Sequence, residues 1–166
     1  MTIETLVGPE EIPAKTRSIK FRVIKPVFET LKVSEEITNY LKPGNRYTSP
    51  EQIFETFYFL RRECKEFFIS LHLDGKNRIS CIEIVSLGSL NQSIVHPREV
   101  FKTALLSSAA ALILVHNHPT GDTTPSREDL EITRRLREAG EIIGIKILDH
   151  IIIGETYLSF VAQGLM

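Results

Sequence analysis

Residues 114–130 read LVHNHPTGDTTPSREDL. The apolar run Ala109 to Val115 leads into His116 and His118, two residues apart at a strand end. Side chains at i and i+2 leave a strand on the same face, so two imidazoles can converge on one ion. Eleven residues after His118 comes Asp129, in the first turn of a helix that opens at Ser126. Pro119, Gly121 and Pro125 in the loop between let the chain fold back and bring that turn beside the histidines. Along the helix Asp129 falls in line with Ile132, Leu136 and Ile143, which form its apolar stripe. An inward carboxylate is costly unless something pairs with it, and a metal would do so. Two His and one Asp supply three ligands and leave a fourth position for water, the pattern of a catalytic rather than a structural zinc site.

Each half of this pattern has a plainer reading. Ser126-Arg127-Glu128-Asp129 is also a capping box, which starts helices that have no function at all. An H-x-H pair alone is equally compatible with one exposed histidine and one bonded to backbone. The combination of H-x-H, seven residues and S-x-x-D on a strand-loop-helix scaffold is what favours a metal. The letters His116-Asn117-His118 also spell HNH, but a nuclease of that type spreads those residues over a ββα unit.

Outward from this stretch, helices alternate with strands. Ser49-Pro50-Glu51 predicts a helix start, with the helix running to about Glu63. Glu66 to Asp74 alternates as a strand, Gly75-Lys76-Asn77 turns, and Arg78 to Ser86 returns as a hairpin partner. Leu90 to Val95 reads as a short strand, and Pro97 opens a helix through residues 98–110. Ala111 to Val115 is a buried strand, Ser126 to about Ile142 a helix, and Ile145 to Ile153 and Tyr157 to Val161 the last strands. The expectation is an α/β domain with one mixed sheet and helices packed on it. It occupies residues 46–166, behind an N-terminal extension of residues 1–45. That extension has a loose acidic start, a strand over Ser18 to Ile24, a short helix from Ser34 to about Leu41, and a breaker-rich linker, KPGNRYTSP, over residues 42–50.

Composition narrows the function classes. At 42% hydrophobic and 25% charged residues, collagen-like, coiled-coil and wholly disordered readings are excluded. Lys and Arg total 20 against 21 Asp and Glu, so the chain lacks the global basic excess of many nucleic-acid binders. The longest apolar run is too short to span a bilayer, no secretory signal is expected at the N-terminus, and Cys64 and Cys81 form no CxxC. A cytoplasmic protein is the expectation.

The pattern HxH-x7-SxxD resembles the JAMM (MPN+) metalloprotease signature. More narrowly, HNHPTGDTTPSREDLEITRRLREAG over residues 116–140, followed by IGIKILDHIIIG over 143–154, is similar to the bacterial RadC family. HPREVFKTAL, residues 96–105, also fits the family's block before the histidines. The resemblance covers about Ser49 to Met166 and departs at Thr120, where the family usually has Ser. It implies a JAB/MPN domain, a cytidine-deaminase-like mixed sheet flanked by helices, with one Zn2+ per chain on His116, His118 and Asp129. It also implies that Ser126 helps to polarise the substrate carbonyl and that Glu66 is the general base, in a hydrolase of a peptide or isopeptide bond. From the residues alone, Glu63, Glu83 and Glu99 compete with Glu66. Asp149 and His150 match a family block and face opposite sides of a strand. For them the expected roles are an Asp that satisfies a neighbouring loop and a core His bonded to backbone. Arg98 is expected to pair with an acid or anchor a loop, Asn117 to bond backbone across the sheet, and Asp122 to face solvent. His72 and His96 are expected at the surface or at strand ends.

The alternative function is a repair- or recombination-associated protein acting through nucleic acid or a partner. Many RadC relatives carry a helix-hairpin-helix segment, a pattern that residues 1–45 do not show. Basic residues from Lys15 to Arg46, interleaved with Phe21, Phe28 and Tyr40, are its only support.

Overall fold

The structure, a computed structural model, describes residues 46–88 and 95–166 together with the single positions 27 and 29. The expected elements over 18–24 and 34–41, residues 42–45 of the linker, and the short strand expected at 90–95 lie outside the described residues, Val95 excepted.

Five strands form one mixed sheet in the spatial order β2-β1-β3-β4-β5. β1 (Glu66–Leu73) pairs antiparallel with both β2 (Ile79–Gly88) and β3 (Ala111–Asn117). β3 runs parallel to β4 (Lys146–Ile153), and β5 (Tyr157–Ser159) closes the edge antiparallel to β4. A parallel pair needs a crossover, and the helix between β3 and β4 supplies it. This is the mixed α/β sheet expected from the sequence.

The sheet is covered on both faces. On one face α1 (Pro50–Thr56) and the 3-10 turn Tyr58–Arg62 bury Ile53, Phe57 and Leu60 against Ile69, Leu71, Ile113, Val115 and Ile151. On the other, α2 (Pro97–Leu106) and α3 (Arg127–Ile143) bury Val100, Phe101, Ala104 and Leu136 against Phe68, Leu112 and Leu114. β3 is therefore buried at all seven positions, as a central strand between two helical layers should be.

Several boundaries differ from expectation, two of them for evident local reasons. The helix from Pro50 does not run unbroken to Glu63. The Thr56 hydroxyl donates back to the Gln52 carbonyl at 2.7 Å, a bond that loosens helices, and the chain tightens into the 3-10 turn. α2 stops at Leu106 because Ser108 takes a left-handed φ of 55° and the Ala109 amide turns back to the Ala104 carbonyl at 2.9 Å. β3 extends through Asn117, and β5 ends at Ser159. In α3 the buried stripe is Asp129, Thr133, Leu136 and Gly140, whereas Ile143 is exposed. At Gly140 a Cβ would lie 2.4 Å from the Ile145 carbonyl oxygen. Only glycine lets the chain double back there into β4.

Candidate metal centre

β3 and α3 bring the signature residues together. His116 sits on β3, fully buried, with its ring stacked on Phe68 at 6.0 Å between centroids. His118 follows just beyond the strand. Its amide donates to the Ile153 carbonyl at 2.9 Å, and the Glu155 amide binds the Gly121 carbonyl at 2.8 Å, so the loop is clipped to the end of β4. Gly154 is what permits that approach, since a Cβ there would lie 2.2 Å from the Gly121 oxygen.

Asp129 is 2% exposed at the N3 position of α3. The capping box and the inward carboxylate are both present: the Ser126 amide and hydroxyl donate to Asp129 Oδ2 at 2.7 and 2.6 Å, and the Asp129 amide donates to Ser126 Oγ at 3.1 Å. The two readings of S-x-x-D are not rivals here. The cap is the device that fixes the carboxylate's direction.

His116 Nε2 lies 3.0 Å from His118 Nε2 and 3.2 Å from Asp129 Oδ1, and His118 Nε2 lies 3.4 Å from Asp129 Oδ2. Donors on a tetrahedral zinc with bonds of about 2.0–2.1 Å stand about 3.3 Å apart. The contacts of His116 Nε2 with His118 Nε2 and with Asp129 Oδ1 are close to such an edge, while His118 meets the other carboxylate oxygen, Oδ2. Among the described residues this is the one group of three His, Cys, Asp or Glu ligand atoms within 4.8 Å of one another.

The proton inventory agrees. His118 Nδ1 lies 2.6 Å from the Asp122 carbonyl, which can only accept, so Nδ1 carries a hydrogen and Nε2 is the nitrogen available to a metal. Two imidazole nitrogens and a carboxylate then face one point that calls for a cation. Burial works to raise the Asp129 carboxyl, but its contacts with His116 and His118 outweigh that and hold it well below the usual carboxylate range. The same carboxylate raises His118 against its burial, with a smaller push from the Glu66 charge.

Glu66 opens β1 and is half-buried. Phe68 stands opposite His116, so Glu66, two residues back, shares its face and is directed toward the His118 end. The competing glutamates sit elsewhere. Glu63 follows the 3-10 turn, Glu99 pairs with Lys102 and Arg98 on α2, and Glu83 accepts the Thr103 hydroxyl on β2. Arg98 is exposed in its pair with Glu99.

Asn117 behaves as expected. Its Oδ1 accepts from the Phe67 amide at 2.8 Å, and its Nδ2 donates to the Leu60 and Lys65 carbonyls at 3.1 Å. Asp149 accepts from Ser159 Oγ, the Val161 amide and the His150 amide, holding the chain after β5. Asp122 is exposed. His96 is half-buried at the N-cap of α2, where with Val95, Glu128, Asp129, Ile132 and Arg135 it lines a cavity of about 310 Å³.

Two expectations are corrected. His150 does not bond to backbone through its ring: its nitrogens meet His116 Nδ1 at 2.8 Å and Thr133 Oγ1 at 2.6 Å. His72 is not at the surface but fully buried, with Nδ1 2.7 Å from Ser107 Oγ. Thr133 was missed altogether, although its i+4 spacing from Asp129 on the inward stripe signals a partner.

A family model described as the RadC-like JAB domain matches residues 47–165. The chain is 66% identical over 123 residues to a UPF0758 protein of Geotalea uraniireducens, covering 73% of this chain and 54% of that one. It is 65% identical over 125 residues to a UPF0758 protein of Geobacter sulfurreducens (74% and 55%) and 50% identical over 143 residues to one of Methanosarcina mazei (85% and 62%). The chain thus spans 54–62% of the length of these curated relatives. No helix among the described residues is long and apolar enough to cross a membrane.

Proposed function

The chain belongs to the RadC-like JAB domain family, and from that premise we propose a zinc-dependent metallohydrolase of the JAMM type that cleaves a peptide or isopeptide bond. The observation that carries this reading is the convergence of His116 Nε2, His118 Nε2 and Asp129 within 3.0–3.4 Å. These three residues would hold one zinc per chain. When bound, the ion supplies Lewis acidity, polarising a carbonyl and lowering the pKa of water towards about 7.

The remaining chemistry belongs to the chain. Glu66, on the His116 face of β1, takes the proton from the attacking water and returns it to the leaving amine. Ser126 holds the Asp129 carboxylate in place through its hydroxyl. To polarise the substrate carbonyl, it turns that O–H from Asp129 to the developing oxyanion. The cavity beside Asp129, with Val95 and Ile132 as apolar wall and Arg135 and Glu128 as charged rim, receives the residues that flank the scissile bond. Cys64 and Cys81 are both free, in keeping with a reducing cytoplasm. The basic positions that prompted the nucleic-acid alternative lie, except for Arg46, outside the described residues.

The test is amide hydrolysis by the zinc-loaded chain beside Glu66→Gln. The expected result is full zinc in both proteins and a loss of rate of about 10²–10⁴-fold in the variant, the usual range for a general base. Unchanged hydrolysis in Glu66→Gln would remove Glu66 from the mechanism.

A further inference from the structure

His150 lies outside both H-x-H and S-x-x-D, yet it is fully buried, between Phe160 (centroids 4.7 Å) and Phe68 (5.5 Å). A buried imidazole is costly unless its nitrogens are hydrogen-bonded, and both are, to Thr133 and to His116. The direction of every proton follows from one end. The Asp129 carbonyl can only accept, so the Thr133 hydroxyl, 2.6 Å away, donates to it. Thr133 Oγ1 then accepts from His150 Nδ1–H. The uncharged ring is left with a lone pair on Nε2, which accepts from His116 Nδ1–H. His116 Nε2 is left with the lone pair that faces His118 and Asp129. The relay begins on the backbone of one prospective ligand and ends on the ring of another, tying α3, β4 and β3 together.

We infer that His150, backed by Thr133, is a positioning residue that fixes the His116 tautomer so that Nε2 is the ligand atom. The inference rests on the reading of His116, His118 and Asp129 as one metal centre. Its physical content is a competition. Without an acceptor at Nδ1, His116 can carry its proton on Nε2 and bond Asp129 Oδ1, 3.2 Å away. A metal would first have to displace that bond. Partners of this kind behind a metal-bound histidine are typically worth about 10–100-fold in affinity.

The experiment uses the full chain and zinc alone, with affinity read by competition against a chromogenic chelator. Histidine ring ¹⁵N spectra are recorded on the zinc-free protein. His150→Phe should weaken zinc about 10–100-fold and move the His116 proton from Nδ1 to Nε2. His150→Gln, whose side-chain carbonyl can accept from Nδ1–H, should restore both. Unchanged affinity and tautomer in His150→Phe would overturn the inference. Equal losses in the Phe and Gln variants with His116 still protonated on Nδ1 would also overturn it, by making His150 a packing residue. Should His150→Phe not fold, Thr133→Val carries the test: weaker zinc binding with an altered His116 ring supports the relay, and no change in either refutes it. Wild-type protein that binds no zinc would instead sink the metal reading, and the ring spectra would still decide whether His150 sets the His116 tautomer.

Discussion

One face of the sheet carries buried histidines at both ends, and among the described residues one end groups ligand atoms that could hold a metal. At the β3–α3 end, His116 Nε2, His118 Nε2 and the Asp129 carboxylate converge, and the far nitrogen of each ring is anchored as a donor. At the other end His72 faces Glu83, with Ser107 and Thr103 around them. The Ser107 hydroxyl donates to the Ala104 carbonyl at 3.0 Å, so His72 Nδ1 donates to Ser107 and its Nε2 is left with a lone pair. Among the described residues that nitrogen has no hydrogen-bond partner, and it stands 3.8 Å from Glu83 Oε2. Burial pushes His72 down to about 4 and raises Glu83. The residue types are similar, but among the described residues no third ligand atom completes the group. Convergence, rather than composition, separates a metal centre from a desolvated core pair.

The largest expected contrast is in the response to zinc. Zinc at about a thousand times its dissociation constant should stabilise the wild-type chain by about 4 kcal/mol. That corresponds to a rise in melting temperature of roughly 8–16 °C for a chain of this size. His72→Gln should show the same zinc-dependent rise and His116→Leu none, as read by thermal unfolding with and without chelator. A zinc response that survives His116→Leu would place the ion elsewhere.

The second contrast is in pH. His72 ordinarily titrates near 6.5 and here near 4. Between those values the unfolded chain binds more protons than the folded one, so the contribution is complete above pH 6.5 and is lost as pH falls towards 4. Its size is at most about 3 kcal/mol, and Glu83, raised by burial, works in the opposite direction. The difference in zinc-free stability between wild type and His72→Gln, from denaturant unfolding at pH 7 and pH 5, should therefore shift in favour of the variant on acidification. A difference independent of pH would show that His72 is solvated in solution.

The smallest effect is at the cap. Ser126→Ala should cost about 1 kcal/mol of stability through the lost N-cap, while zinc stays at one per chain with reduced affinity. Unfolding of the metal-free protein and a zinc titration read the two separately. Complete loss of zinc with an intact fold would give Ser126 a direct part in holding the ion.

More of the candidate metal centre than of its support was legible in the sequence. H-x-H at a strand end and Asp129 on an inward stripe sufficed to name three residues, because strand and helix periodicities are local. The opposed faces of Asp149 and His150 could also be read. What met His150 could not, since that depends on β4 lying parallel to β3 with His150 opposite Leu114. Chain order alone does not specify that register. His72 was misplaced for a related reason. In EFFISLHLD the polar alternation reads as a solvated face, but β1 is an inner strand covered by α2, so the polar face is buried too. The break in the first helix at Thr56 reflects one side-chain-to-backbone bond, which propensity does not signal.

The measurement that bears most directly on the central claim is zinc per chain by elemental analysis of tag-free protein, beside Asp129→Ala. The convergence of His116, His118 and Asp129 predicts about one zinc in the wild type and none in the variant. Equal zinc in both, or none in either after reconstitution, would contradict it and leave Asp129 as a helix cap alone.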